Sequence, residues 1–207
     1  TFQEPKFLMS AIEAFDFIEK KMIVNNVLYH SHCNGINKYE ALLDDYAYII
    51  KASLSLFEAT NNTKYLNFSI KYVEKASLNF FDGKGMFTQS KLGNEDVIIK
   101  NKPITDNVMP NANAVMIENL TRLYHLHYKD IFIQQAHGII QEYSSRINQE
   151  LFGICSFLNS VNFLRNIKIV IISGEDSDQN QNINNSISQE FLPNIIIMTI
   201  NKIDNLK

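Results

Sequence analysis

The chain has 207 residues, of which 45% are hydrophobic and 20% charged, and its formal net charge is −3. These values are typical of a globular protein with one domain, or with one domain and a small appendage. The lysines and arginines are scattered along the sequence rather than clustered, so we expect neither a nucleic-acid partner nor binding to a membrane.

The cysteines and the N-terminal sequence bear on the cellular compartment. Cys33 and Cys155 form neither a CxxC motif nor a zinc-like spacing, so we expect two free thiols in a reducing compartment. The N-terminus lacks the basic and apolar regions of a signal peptide, and no run of about 18 apolar residues occurs. We therefore predict a cytoplasmic protein. The sequence begins with Thr rather than Met, which is expected of a processed product or a fragment of a longer protein.

Apolar residues recur at intervals of three and four through most of the chain, which predicts six amphipathic helices. The second helix begins between Tyr39 and Leu43, and only Asn61 and Asn62 separate it from the third. So short a connection predicts an antiparallel helical hairpin. The predicted helices span residues 5–22, 63–81, 111–127, 129–146 and 149–165, together with the second helix, which runs from a start between 39 and 43 to residue 60.

Two segments between the helices lose the helical period, and each predicts a small β-hairpin. Residues 27–38 alternate between apolar and polar side chains and contain Asn34-Gly35, a dipeptide typical of tight turns. Residues 86–102 contain two strand-like runs, 86–90 and 96–100.

The end of the chain predicts a βαβ unit. Residues 168–172 and 194–200 are apolar runs typical of buried strands, and the polar segment between them could hold a helix at about 180–191. The first strand is followed by Ser173-Gly174, which belongs to neither a G-x-G-x-x-G motif nor a P-loop. We therefore expect no nucleotide site and no cofactor here.

The stretch from Thr105 to Val115 leads into the fourth helix. Pro110 suits a first helical turn, and Asn111 and Asn113 can accept hydrogen bonds from the unpaired N–H groups that open the helix. Asp106 precedes this positively polarised end, and an acid beside two amides can bind a polyhydroxylated ligand. The alternative is that these side chains only cap the helix and form a turn.

Five motifs of the chain occur in the order that one protein family shows. They are Leu43-Asp44-Asp45-Tyr46-Ala47, Leu56-Phe57-Glu58-Ala59-Thr60 with Tyr65-Leu66, Gly85-Met86-Phe87-Thr88, Asp106 with Met109-Pro110-Asn111-Ala112-Asn113-Ala114-Val115, and Phe191-Leu192-Pro193-Asn194. In these motifs the chain resembles the C-terminal part of the thioredoxin-domain-containing spermatogenesis-associated protein 20 family, and the resemblance covers nearly the whole sequence. The sequence differs from the family at Asn107 and Ala112, where that family has glycines. The resemblance therefore does not specify the backbone path of the loop from Asp106 to Asn113.

The resemblance implies a mainly α fold. Members of that family carry an N-terminal thioredoxin-like domain followed by an (α/α)6 toroid, similar to those of N-acylglucosamine 2-epimerases and several glycoside hydrolases. Six helices match about half of such a toroid. We therefore expect a partial toroid of antiparallel helical hairpins over residues 1–166, with residues 167–207 as a small βαβ appendage of the same domain. The thioredoxin-like domain would be an upstream partner that this chain does not include.

Such toroids gather the N-termini of their inner helices at one end of a central cavity, and this places the candidate site residues together. The predicted catalytic residues are Asp106, with Asp45 or His30 as its partner. The predicted substrate-binding residues are Asp44, Tyr46, Asn111, Asn113, Tyr29 and His32. A sugar site needs a carboxyl as general acid or base, a second acid or a His, and aromatic rings for the sugar faces.

Each of these assignments has a structural alternative. Asp44 and Asp45 could serve only as favourable charges at a helix N-terminus, the two histidines could be exposed hairpin residues, and Tyr46 could belong to the core. His30 and His32 share one face of a strand, but the sequence offers no third ligand nearby, so we predict no metal.

Three functions remain open at this point. The first is a carbohydrate-processing domain, related to sugar isomerases, epimerases or hydrolases. The second is a non-catalytic toroid that binds sugar or protein and serves the redox module implied upstream. The third is an inactive fragment, whose unpartnered apolar faces would aggregate or dimerise. Similarity of fold alone does not decide among them.

Overall fold

The computed structural model describes residues 4–93, 101–146, 153–174, 177–190 and 192–200, and over these residues the protein is mainly helical. In chain order the elements are α1 (Pro5–Phe17), β1 (Ile23–Val24), β2 (Val27–Cys33), β3 (Ile36–Glu40), α2 (Leu43–Thr60), α3 (Thr63–Phe80), α4 (Ala112–His127), α5 (Asp130–Arg146), α6 (Cys155–Asn166), β4 (Lys168–Ser173), α7 (Ser177–Gln189) and β5 (Ile195–Ile200). A π-helical turn, Ile18–Met22, continues α1.

Helices α2, α4 and α6 form a row, in which α4 contacts both of the others. Helix α3 packs against α2, and α5 packs against α4. Alanines let the helices of the row approach closely: Asn119 donates through Nδ2 to the carbonyl oxygen of Ala47 at 2.8 Å, and the Ser160 hydroxyl donates to that of Ala114 at 2.8 Å. Helices α2, α4 and α6 thus form one layer, and α3 and α5 form a second layer against it, as in an α/α architecture.

One hydrophobic core lies between the two layers. It includes Leu43, Ile50, Tyr72, Val73 and Leu120, all of which are buried. Apolar side chains at helical spacing face this core from both layers, so burial of apolar area stabilises the arrangement.

The predicted hairpin after α1 is confirmed, but its strands reach further than expected. Asn34 (φ 51°) and Gly35 (φ 78°) form the turn between β2 and β3, which pair antiparallel. A second turn, made by Asn25 and Asn26, joins β1 to β2. Strand β3 runs to Glu40, so α2 begins at Leu43, the later end of the predicted range.

Two further boundaries differ from prediction. Helix α6 begins at Cys155 rather than near 149, because Gly153 has a left-handed backbone (φ 82°). Residues 86–90 do not form a strand; Phe87 makes a single bridge with Phe81. The second predicted strand of that hairpin, 96–100, lies outside the described residues, as does Phe191 of the last family motif.

The C-terminal βαβ unit forms as predicted. Strands β4 and β5 pair in parallel from Lys168–Ile195 to Ser173–Ile200, with α7 between them in sequence. Ile196 of β5 is fully buried and belongs to the same hydrophobic cluster as the helices. The unit is thus attached to the helical layers through its second strand. No helix among the described residues is long and apolar enough to cross a membrane.

Gly85 provides a test of how the loop after α3 packs on α5. Its φ is +127°, and a Cβ there would lie 2.9 Å from the carbonyl oxygen of Gly138. Gly83 also has a positive φ (+73°), but a Cβ there would meet nothing within 4 Å. We expect Gly85→Ala to lower the free energy of unfolding by about 2 kcal/mol more than Gly83→Ala. Urea unfolding of both variants measures this difference, and equal losses would contradict the close packing.

Candidate functional site

The N-terminal ends of α2, α4 and α6 lie together at one end of the row, which we call the polar end. Tyr48 of α2 donates from its hydroxyl to the carbonyl oxygen of Pro110, just before α4, at 2.8 Å. Asp106, upstream of α4, hydrogen-bonds to Ser156 in the first turn of α6. The structure therefore gathers most of the predicted site residues into one region.

Asp106 caps two helices at once. Its carboxylate accepts the backbone N–H of Asn111 and that of Ser156, each at 2.9 Å, and also the Ser156 hydroxyl. Burial raises the pKa of Asp106, but hydrogen bonds from Ser156, Asn111 and Cys155 outweigh burial and hold the pKa below its usual value. Asp106 is thus an ionised carboxylate whose oxygens are occupied by helix N–H groups.

Asn111 and Asn113 also hold the backbone. Asn111 is the N-cap of α4 and accepts the backbone N–H groups of Asn113 and Ala114. Asn113 is fully buried; its side chain accepts the N–H of Phe87 at 3.0 Å and donates to the carbonyl oxygen of the same residue at 3.0 Å. The side chains of both predicted binding residues are therefore already hydrogen-bonded within the fold.

Tyr46, predicted to stack on substrate, lies in the core. It is 5% exposed, and its ring packs against Phe80 and Tyr72. Burial raises the pKa of its hydroxyl, and a hydrogen bond with Asn79 opposes that shift. The stripe of α2 that faces α3 includes this position, so the ring is unavailable to a ligand.

Asp44 and Asp45 point to different partners. Asp44 accepts a hydrogen bond from the side-chain amide of Gln89, a residue of the loop after α3. Asp45 accepts the backbone N–H of Leu42 at 2.8 Å and so helps to open α2. The helix-charge alternative thus describes part of what Asp45 does.

Asp45 also pairs with His30. Nδ1 of His30 lies 2.9 and 3.1 Å from the two carboxylate oxygens. An ionised carboxylate only accepts hydrogen bonds, so Nδ1 carries the proton and Nε2 is the unprotonated nitrogen of the neutral ring. Among the residues that the structure describes, Nε2 has no hydrogen-bond partner, and the His30 side chain is 51% exposed. This pair is the best-placed acid/base group at the polar end.

A cleft of about 420 Å³ lies beside the pair. Asp45, Tyr29 and Tyr48 line it, and its remaining walls come from apolar side chains of α1, α2 and β2. Burial, and then the negative charges of Asp44 and Asp106, raise the pKa of the Tyr48 hydroxyl. Tyr48 lines the cleft and its hydroxyl reaches the carbonyl oxygen of Pro110, so this tyrosine lies between the cleft and the loop that Asp106 holds.

His32 does not join the pair. Its Nδ1 lies 2.7 Å from Oδ1 of Asn37, and its ring packs edge-on against Phe17. In the described part of the chain there is no group of three or more His, Cys, Asp and Glu side chains suited to hold a metal ion. Cys33 and Cys155 are exposed free thiols.

Sequence reasoning missed three residues of this region: Tyr48, Gln89 and Ser156. Tyr48 lies one helical turn after Asp44, so helix spacing could have placed the two on one face. Gln89 and Ser156 carry no such signal, because Gln89 lies in a loop and the position of Ser156, in the first turn of α6, depends on the loop that precedes that helix.

Comparison with known proteins finds distant relatives of the sequence. No known family profile matches the sequence. An uncharacterized Caenorhabditis elegans protein is 24% identical over 99% of this chain and 29% of its own length. Spermatogenesis-associated protein 20 from Rattus norvegicus is 24% identical over 64% of this chain and 17% of its own length. The human protein of that name is 19% identical over 75% of this chain and 20% of its own length. The chain thus spans less than a third of these relatives.

A solved structure shares the fold. A GH76 alpha-mannanase from Bacteroides thetaiotaomicron superposes with a TM-score of 0.60 at 14% identity, over 77% of this chain and 45% of the mannanase. The mainly helical fold described above is therefore similar to part of the α/α toroid of this mannanase, and the sequence is similar, at low identity, to spermatogenesis-associated protein 20.

Proposed function

We propose that this chain is a carbohydrate-processing toroid domain in which His30, oriented by Asp45, moves a proton to or from a bound sugar. The observation that carries the proposal is the contact of His30 Nδ1, at 2.9 and 3.1 Å, with both carboxylate oxygens of Asp45, a residue that lines the cleft. A carboxylate on Nδ1 fixes the tautomer of the ring and leaves Nε2 as a base. The toroid fold of the mannanase makes a sugar the first ligand to test.

An isomerase or epimerase reaction suits these residues better than hydrolysis. Glycoside hydrolysis usually needs two carboxyl groups on opposite sides of the bond, one of them protonated. Asp106 has a lowered pKa and accepts hydrogen bonds from two helix ends, so it is poorly placed to give up a proton. In this proposal Asp106 positions the loop, and His30 with Asp45 performs the proton transfer.

The neighbouring side chains would hold the sugar. Tyr29 and Tyr48 line the cleft and offer aromatic surface to the apolar face of a pyranose ring. Asp44 and Gln89 provide an acceptor and an amide beside them, and Oε1 of Gln89 is buried without a hydrogen-bond partner among the described residues.

The second candidate is a sugar-binding domain without catalysis. It is favoured by the use of Asp106, Asn111 and Asn113 in holding the backbone, which leaves few polar groups for chemistry. In either case we place the domain within a longer polypeptide, as the length of its relatives suggests. A thioredoxin-like domain upstream stays a prediction from the family resemblance.

Proton transfer can be measured directly by NMR. In D2O, a panel of aldoses, ketoses and N-acylated hexosamines should include one whose proton next to the carbonyl carbon exchanges for deuterium when the protein is added. We expect His30→Gln to slow this exchange by about 100-fold, since general-base catalysis contributes that much or more. Binding measured by calorimetry should change only a few-fold.

His32→Gln is the matched control, because His32 lies on the same strand and contacts Asn37 instead of Asp45. Its exchange rate should equal that of the parent. Binding without exchange in the parent would replace the first candidate by the second. A panel in which no sugar binds would contradict both.

A further inference from the structure

Tyr39 of β3 has a backbone conformation that is costly for its residue type. Its φ is +59°, in the left-handed region, where a bulky side chain is an outlier. Apart from Tyr128, the other non-glycine residues with positive φ in the described part of the chain are asparagines, which adopt this region more readily. Tyr128 has a local reason for its φ of 55°, because it is the C-cap of α4. Tyr39 lies inside a strand, so no helix end accounts for its conformation.

The register of the hairpin places Tyr39 next to the proposed base. The register pairs on either side are Tyr29 with Glu40 and Ser31 with Lys38. His30 and Tyr39 therefore stand opposite each other across β2 and β3. Opposite residues of an antiparallel pair typically have Cβ atoms about 5 Å apart. A molecule of the size of a sugar that contacts Nε2 of His30 is thus within reach of the ring of Tyr39.

Packing does not explain an aromatic side chain at this position. Tyr39 is 76% exposed, so its ring gains little from burial to offset the strained backbone. Strained backbone conformations cluster at ligand sites, where the surrounding structure holds them in place. Here the register pairs on both sides of Tyr39 hold it. An exposed, strained tyrosine opposite His30 therefore points to contact with a ligand.

We propose that Tyr39 is a specificity-determining residue whose ring stacks on the apolar face of the pyranose that His30 contacts. The inference rests on the proposed function, because it needs a sugar at Nε2 of His30. Tyr29 and Tyr48 offer aromatic surface in the cleft, and Tyr39 adds a further ring on the hairpin. Stacking requires the flat C–H face of a ring, so the ligand class is a cyclic sugar rather than an open-chain polyol.

Calorimetry with glucose, mannose, fructose and N-acetylglucosamine tests the contact. For each of these sugars that the parent binds, we expect Tyr39→Asn to weaken binding by about 10-fold, the factor expected for loss of one aromatic contact. Tyr39→Phe keeps the ring and should bind within about 2-fold of the parent.

The exchange rate separates Tyr39 from His30. Stacking on the sugar ring is equally strong in the bound state and in the transition state, so its loss weakens binding without slowing the bound sugar. At saturating sugar, Tyr39→Asn should therefore exchange deuterium at the parent's rate. His30→Gln should show the reverse pattern, with slow exchange and nearly unchanged binding.

Stability gives a readout that does not depend on the sugar. Asn adopts the left-handed region at less cost than Tyr, so Tyr39→Asn should raise the urea midpoint. Tyr128→Asn is the matched control, because Tyr128 has a similar φ and is 66% exposed, but lies at the end of α4 away from the polar end. This variant should also raise the midpoint, and it should leave sugar binding unchanged.

The outcomes distinguish the inference from the proposed function. A parent that binds and exchanges a sugar while Tyr39→Asn binds it as tightly would overturn the inference alone. Equal weakening by Tyr128→Asn, or a lower urea midpoint for Tyr39→Asn, would also overturn it, because the effect would then not arise from a ring held ready for the sugar. A parent that binds none of these sugars would overturn both.

Discussion

Replacing Asp106 by Ala should lower the free energy of unfolding by about 2 to 4 kcal/mol. The carboxylate accepts N–H groups at the start of two helices, α4 and α6, and loss of one capping side chain typically costs about 1 kcal/mol and up to about 2. In the variant the Ser156 hydroxyl also loses the carboxylate oxygen that accepts its hydrogen bond. Because α4 and α6 are neighbours in the row, a loss at both N-termini weakens their packing together.

Urea unfolding at neutral pH measures this loss. Asp106→Asn retains one oxygen acceptor but not the charge, so it should fall between the parent and Asp106→Ala. Asp130→Ala is a suitable control, since Asp130 is an exposed acid in the first turn of α5 and stands outside the Asp106 cluster. A loss for Asp106→Ala no larger than that of the control would mean that water replaces the two caps.

The same carboxylate should make stability depend on pH in the acid range. The pKa of Asp106 is lowered in the folded chain, so the folded state favours the charged form. Its contribution is therefore complete above the unfolded pKa, about 4, and is lost as the pH falls through the lower folded pKa. The difference between parent and Asp106→Asn should shrink on acidification. A difference that stays constant from neutral to strongly acid pH would contradict the lowered pKa.

Helices were the part of the fold that the sequence predicted best. Each long stripe of apolar residues corresponds to a helix within a few residues, because packing of that stripe drives helix formation. Differences arose near residues whose backbone leaves the ordinary regions: β3 continues past the predicted end at Lys38 through Tyr39, which has φ 59°, and α6 begins after Gly153, which has φ 82°. Such conformations depend on contacts with distant segments, and the local sequence does not specify them.

For the candidate site, too, the local sequence predicted some features and could not predict those that depend on distant contacts. Sequence correctly brought Asp106, Asn111 and Asn113 to a helix N-terminus, and the capping alternative describes their contacts in the structure. It could not decide which polar groups stay available, because that depends on bonds to Ser156 and Phe87, which lie far along the chain. Those bonds occupy Asp106 and Asn113, whereas the His30 side chain, paired with Asp45, is 51% exposed.

Replacing Asn113 by Ala should lower the free energy of unfolding by about 3 to 5 kcal/mol, the largest loss expected among these variants. The fully buried side chain accepts the N–H of Phe87, and it donates to the carbonyl oxygens of Phe87 and Pro103 at 3.0 and 3.3 Å. Alanine would leave these backbone groups without partners, and each buried group left unsatisfied costs about 1 to 3 kcal/mol. The better helix propensity of Ala offsets only about 0.5 kcal/mol.

The variant should also disturb the polar end. Asn113 holds Phe87, and Gln89, two residues further on, reaches Asp44 of α2. A loop that shifts away from α4 would therefore carry Gln89 away from Asp44 and open the region beside Tyr48. NMR can follow the side-chain amide of Gln89 while urea unfolding follows stability. Asn107→Ala, in the exposed part of the loop before α4, should change neither. If Asn113→Ala lost stability while the Gln89 amide signal stayed in place, the bonds of Gln89 with Asp44, Leu43 and Asn101 would hold that part of the loop without Asn113, and the predicted effect on the polar end would be wrong.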